Sequence, residues 1–158
     1  MWLIIFIIKR VNDLNWTFNE VKPGDMIRIC LGDFNHYGKY ISDEEIIQFG
    51  PPPVSILRKD DEIEVCTTDI NGFLSGKFLE VGEPDRKERK KCRKPEEVIA
   101  AARSRIGERG YSILYNNCEH FAYECMFGQK YCSQTEKIRN IWRTKMQAVN
   151  QESTGMGH

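Results

Sequence analysis

The sequence predicts an α+β fold, an antiparallel β-sheet packed on helices with a cysteine at a helix N-terminus. Three observations predict it. Short β-type runs divided by Gly, Pro, Asn and Asp clusters fill much of the first half. A capped helical pattern opens at Pro95, and a second opens after Asn117 with Cys118 in its first turn. At 158 residues, with 41% hydrophobic and 29% charged residues, the chain suits one soluble domain able to bury a core. Lys plus Arg and Asp plus Glu balance at 23 each, so no global charge argues for nucleic acid as a partner.

Residues 1–20 read as an apolar N-terminal extension that need not belong to the core. Met1 to Ile8 is almost wholly apolar, and Lys9-Arg10 follow. Such a run is far short of the roughly 20 residues that span a bilayer. Its basic residues also come after the apolar stretch, against the order of a signal peptide. A buried edge strand or a segment outside the fold is the plain reading; shallow membrane insertion is the alternative.

The domain proper is expected over 21–132. Lys22-Pro23-Gly24-Asp25 is turn chemistry leading into a strand from Met26 to Leu31, and Gly32 to Asn35 turns again. His36 to Ile41 and Glu45 to Phe49 read as a hairpin joined by Ser42-Asp43-Glu44, and Gly50-Pro51-Pro52-Pro53 stops it. Further strands are expected at Ile63 to Cys66 and Lys77 to Val81, with turns at Asn71-Gly72 and Ser75-Gly76. Arg86 to Lys94 is a basic run, either a solvated loop or a contact for anionic headgroups. Pro95-Glu96-Glu97 opens a helix through Ile106 that Gly107 closes, with Val98, Ala101, Ala102 and Arg105 as its packing stripe. Tyr111 to Tyr115 is a short extended lead-in. Residues 133–158 read as a polar, weakly amphipathic helix over Thr135 to Gln151 and a disordered tail.

Chemistry concentrates at Cys118. Asn117 is a good N-cap, and Gly128 can end the helix. A thiol in a first turn meets the positive end of the helix dipole and backbone N–H groups without helical partners, a setting that favours thiolate. Such a nucleophile needs a base, and there are only three histidines. His158 ends a Gly-rich tail. His120, two positions on, is turned about 200° away and suits orienting the helix instead. His36 remains. If Ser42 to Glu44 is a three-residue loop, Gly38 lies opposite Gln48, and His36 shares a face with that amide. The Gln48 carbonyl can then accept from one imidazole nitrogen and leave the other for the thiol proton. A zinc site from Cys118, Cys125, Cys132 and His36 is disfavoured, since Gly128 breaks the helix before Cys132 and paired short spacings are lacking. No disulfide framework is expected: the six cysteines include no Cys-x-x-Cys and read as mostly reduced thiols, which suits the cytoplasm.

Pro23-Gly24-Asp25 before a strand, His36-Tyr37-Gly38, and Asn117-Cys118-Glu119-His120-Phe121 together resemble the family of lecithin:retinol acyltransferase and the phospholipase A/acyltransferases, relatives of the NlpC/P60 thiol hydrolases. The likeness runs from about Val21 to Gly128. It implies a circularly permuted NlpC/P60-like fold with Cys118 as nucleophile, forming an acyl-thioester, His36 as general base and Gln48 orienting His36. The helix start at Asn117 and Cys118 would serve the oxyanion. It implies a glycerophospholipid as acyl donor, transient contact with a membrane surface, no metal and no cofactor, and a monomer that is cytoplasmic or peripheral to a membrane. The family often has a second histidine where this chain has Gln48, and many members end in a hydrophobic anchor where this chain reads as a polar helix. An amidase or peptidase with the same dyad, and a non-enzymatic binding module keeping the fold, are the competing readings.

Overall fold

The computed structural model describes residues 14–50, 63–112, 117–129, 131 and 139–148. Six strands form one antiparallel sheet: β1 (Leu14–Thr17), β2 (Met26–Cys30), β3 (Asn35–Ser42), β4 (Glu45–Phe49), β5 (Val65–Thr68) and β6 (Glu80–Pro84), in the order β1-β6-β2-β3-β4-β5. Four helices accompany it: α1 (Ile70–Leu74), α2 (Arg86–Arg89), α3 (Pro95–Ser104) and α4 (Cys118–Phe127). The α+β architecture expected from the sequence is the one observed. Residues 139–148 form a further helix whose side chains are all exposed.

Strand alternation sorts the core into two layers. Met26, Tyr37, Ile47, Phe49 and Val65 pack with Val98 and Ala102 of α3 and with Phe121, Ala122 and Cys125 of α4. On the opposite face Ile27, Ile29 and Ile46 pack on Phe73 of α1. Arg105, just past α3, ties the two larger helices together. Its guanidinium donates to Glu108 (2.6 and 2.8 Å) and Glu124 (3.0 Å) and lies over the Phe121 ring.

The β3–β4 hairpin reaches the expected register by a different route. Gly38 stands opposite Gln48, but Ser42 pairs with Glu45, so the turn is the two residues Asp43-Glu44 and a bulge near Ile41 absorbs the extra residue. The expected three-residue loop gives way to turn plus bulge, and the pairing beyond it is unchanged.

Three other expectations shift. Leu14–Thr17 lies inside the 1–20 stretch set apart above, yet it pairs with β6 from Leu14↔Pro84 to Thr17↔Val81, so the sheet begins ahead of residue 21. Residues 1–13, and the apolar run within them, lie outside the described residues. Asn71-Gly72 is not a turn but part of α1, because the Asp69 carboxylate caps that helix through the Gly72 N–H at 2.7 Å. The strand expected at Lys77 to Val81 starts later, at Glu80. The Lys77 N–H is taken by the Leu74 carbonyl in the turn after α1, and Gly82 is the residue that faces Met26. In the basic run, the Asp85 carboxylate caps α2 by accepting from Lys87 and Glu88 (2.8 and 2.7 Å).

Gly38 is the most tightly enclosed glycine of the sheet. A β-carbon there would lie 2.7 Å from the Phe73 ring and 3.2 Å from the Ile47 carbonyl oxygen. Gly38→Ala is therefore expected to cost about 1–3 kcal/mol by overpacking. Urea denaturation should show a lower midpoint with an unchanged slope; an unshifted midpoint would show that Phe73 yields freely.

Candidate active site

Alternation along β3 turns Tyr37 and Lys39 toward the α4 layer and His36 and Gly38 toward Phe73. The register then sets Gln48 on the same face as His36. His36 Nε2 lies 2.9 Å from Gln48 Oε1. A carbonyl oxygen only accepts, so Nε2 carries the hydrogen and Nδ1 is the nitrogen that can take a proton. The Gln48 amide nitrogen is directed at Cys66 Sγ, 3.9 Å away, consistent with this orientation. The ring of Phe73 covers the imidazole at 5.3 Å between centroids. Burial under that ring and the sheet depresses the His36 pKa to about 4, against a smaller upward pull from the Gln48 hydrogen bond. His36 is thus a neutral imidazole at neutral pH, in one tautomer.

Cys118 is the first residue of α4 and is buried. The start of this helix is unusually well fastened. The Asn117 side-chain oxygen accepts from the Glu119 and His120 N–H groups (3.0 and 3.1 Å), and His120 Nδ1 accepts from the Asn117 N–H at 3.1 Å. That reciprocal pair is a capping box with histidine in the place usually held by Glu or Gln. At the far end Gly128, with φ of 75°, takes the left-handed conformation that closes the helix. His120 accordingly orients the helix, as its position suggested. Asn117 gives its own N–H to His120 and its side-chain oxygen to the cap.

α4 runs alongside β3 in the same direction. The Tyr37 hydroxyl lies within electrostatic range of Glu119 and Cys118, and Lys39 lies within range of Cys125, one helical stretch on. Cys118 therefore stands at the end of the sheet where β3 starts, the end that carries His36. The structure brings His36 and Gln48 into direct contact. Among the described contacts Gln48 is the hydrogen-bond partner of the His36 ring; Cys118 lies at the same end of the sheet but in the α4 layer, on the face opposite the pair, and none of the described contacts joins it to His36. Cys125 is buried in the core as expected, while Cys132 and His158 lie outside the described residues.

Sequence reasoning missed several neighbours. Tyr37 is buried and hydrogen-bonded to Arg28; burial first, then the negative charge of Glu119, pushes its pKa far up, so it keeps its proton. Arg28 in turn pairs with Glu80 (3.0 and 3.2 Å) and lies 4.1 Å from the Trp16 ring centroid. Lys39 is fully buried with its ammonium lacking a hydrogen-bond partner among the described residues, and desolvation lowers its pKa to about 8. The one local signal for His120 was its spacing, three residues after an N-cap asparagine.

A buried imidazole tied to an amide on the β3–β4 hairpin, at the sheet end where a capped helix starts on a cysteine, can be weighed against known proteins. The lecithin retinol acyltransferase family model matches residues 19–131. The chain belongs to this family. Lecithin retinol acyltransferase of Rattus norvegicus is 27% identical over 142 residues, which cover 78% of this chain and 62% of that protein. Phospholipase A and acyltransferase 4 of Homo sapiens is 29% identical over 140 residues, 76% of this chain and 78% of that protein. Phospholipase A and acyltransferase 5 of Rattus norvegicus is 23% identical over 134 residues, covering 42% of its length. The chain thus spans less than two thirds of the rat lecithin retinol acyltransferase it matches. His36, Gln48 and Cys118 all fall inside the region matched by the family model.

The His36 environment has a measurable pH signature. Its folded pKa, about 4, lies below the ~6.5 of an unfolded histidine, so the unfolded chain binds the extra proton between those values. The His36 contribution to stability is complete above about pH 6.5 and falls away toward pH 4. NMR titration of the imidazole C–H should give a midpoint near 4. A midpoint near 6.5 would mean that the ring is open to water.

Proposed function

We propose that the protein is a cysteine-dependent acyltransferase or phospholipase A that takes an acyl group from a glycerophospholipid through a thioester on Cys118, with His36 as general base. One observation carries the reading: the buried His36–Gln48 pair, in the tautomer that presents Nδ1, occupies the sheet end where α4 begins on Cys118. Membership of the lecithin retinol acyltransferase family, and the names of the phospholipase A and acyltransferase relatives, support the substrate class.

The chemistry follows from the groups. The Cys118 thiol gives its proton to His36 Nδ1, and the thiolate attacks the ester carbonyl of the lipid. The negative charge on the tetrahedral intermediate faces the helix start, where the Cys118 backbone N–H and the helix dipole can stabilise it. The C–O bond of the ester breaks, the lysophospholipid oxygen leaves with the proton from the imidazolium, and the acyl group stays on sulfur. Water, an amine or an alcohol then attacks the thioester with His36 again taking the proton, and the Cys118 thiolate is released. Cys118 and His36 start from opposite faces at one end of the sheet, so the proposal requires the thiol and Nδ1 to meet around the start of β3 when substrate binds. Gln48 acts through His36 as a positioning residue, holding the ring without titrating. Among the described residues no helix is long and apolar enough to cross a membrane. On this proposal the protein acts as a monomer that contacts the membrane surface transiently.

The test is acyl release from phosphatidylcholine vesicles combined with intact-mass detection of an acylated enzyme. Cys118→Ala and His36→Ala should each lower turnover by at least about a thousandfold with the fold intact. Gln48→Ala should lower kcat by about tenfold and leave KM nearly unchanged. Wild-type protein that neither forms a thioester nor releases fatty acid would overturn the proposal. The acid limb of kcat/KM should fall with the His36 pKa, near pH 4, and an acid limb at 6.5 would point to a solvated base.

A further inference from the structure

Strand direction gathers four chain segments at the end of the sheet that holds His36. β1 and β2 finish there, and β3 and β6 begin there, as Thr17↔Val81, Arg28↔Glu80 and Cys30↔Asn35 show. Each junction next to these ends carries a phenylalanine that the core does not use. Phe18 follows β1, Phe34 precedes β3, and Phe78 precedes β6; they are 77%, 61% and 85% exposed. Single exposed apolar residues are ordinary on a protein surface. Here three of the four strongly exposed aromatic side chains among the described residues come from distant parts of the chain to one rim.

The rim surrounds a cleft of about 420 Å³. Phe18 and Phe78 line it with Arg28, Cys30, Asn35, Lys77 and Glu80. Glu80 already balances Arg28, so Lys77 leaves the cleft with one net positive charge between two aromatic walls. Its inner wall adjoins the α4 side of the candidate site: Arg28 hydrogen-bonds Tyr37, which faces the start of α4, while His36 lies on the other face of β3.

We propose that this end of the sheet is the surface by which the protein docks on a phospholipid bilayer, with Phe18, Phe34 and Phe78 entering the interfacial layer and Lys77 meeting a lipid phosphate. Aromatic rings are suited to that layer, and a cation among them matches the headgroup charge. The docking rests on the reading of the substrate as a bilayer phospholipid. It adds the orientation: the ester enters at the His36 end along the sheet axis. The basic run from Arg86 follows Pro84 at the opposite end of β6, so it points away from a bilayer bound in this way.

Flotation of Cys118→Ala protein with phosphatidylcholine vesicles tests docking apart from chemistry. Replacing Phe18, Phe34 and Phe78 by Ser should weaken partitioning by roughly tenfold per ring. Lys77→Glu should weaken it a few-fold, more with vesicles containing phosphatidylserine. In otherwise wild-type protein, the Phe variants should lose vesicle hydrolysis but keep turnover of a monomeric short-chain thioester, which also reports an intact fold. Unchanged flotation of the triple variant, or binding lost through Lys87→Glu with Lys90→Glu instead, would overturn the docking proposal. Vesicle binding without acyl release would leave docking standing and overturn the catalytic reading.

Discussion

The pairing of Gly38 with Gln48 across the β3–β4 hairpin is the constraint on which the rest of the site depends. It sets the His36 imidazole beside an amide carbonyl and, through the missing side chain at Gly38, makes room for Phe73 to close over the ring. Those two neighbours pull on the histidine in opposite senses: the aromatic cover strips water from it, and the amide offsets part of that loss. A slip of one residue would turn Gln48 to the α4 layer and leave the imidazole without an acceptor. Turn and bulge together hold the pairing, and several other combinations of turn length and bulge would not.

The second constraint acts on the helix. A cysteine in a first turn gains from the dipole only if that turn is formed and does not fray. Asn117 and His120 satisfy one another's orphan groups, and the apolar residues Phe121, Ala122 and Cys125 hold the next turns in the core. His120, close to Cys118 in sequence, thus has its Nδ1 engaged by the backbone. His36, some eighty residues away, has its Nε2 engaged by the Gln48 amide instead. A helix disperses near neighbours, and the parallel packing of α4 along β3 brings Cys118 to the end of the sheet that carries His36, on the opposite face.

Much of this was legible in the chain. The α4 caps, the α3 start at Pro95, the hairpin and the same-face amide each follow from one or two residues whose chemistry is local. What was not legible depended on partners far away. β1 is too short to stand out, and it becomes a strand because β6 offers it an edge. Asn-Gly in α1 reads as a turn until the Asp69 cap ahead of it is weighed. Lys39 shares a face with Tyr37, and α4 buries it among thiols; only the tertiary layer shows that its charge is desolvated. The engagement of the Asn117 N–H by the His120 ring was likewise a matter of which acceptor stood nearest.

Gln48 gives the site its particular character. Where a second histidine would add a group able to gain or lose a proton, an amide keeps the same hydrogen bond at every pH and cannot stabilise an imidazolium by changing its own state. The basicity of His36 then depends almost wholly on how dry its surroundings are. Phe73 and Gly38 therefore act on the His36 pKa as well as on the core, since any loosening of that packing admits water and raises the imidazole pKa toward its solution value. Burial and base strength are one variable at this position: tighter packing keeps the ring neutral and available across a wide pH range, at the cost of thermodynamic pull on the thiol proton. On the proposed mechanism that balance suits the step in which the same proton is passed on to the departing lipid oxygen, because a weak base is also a ready acid.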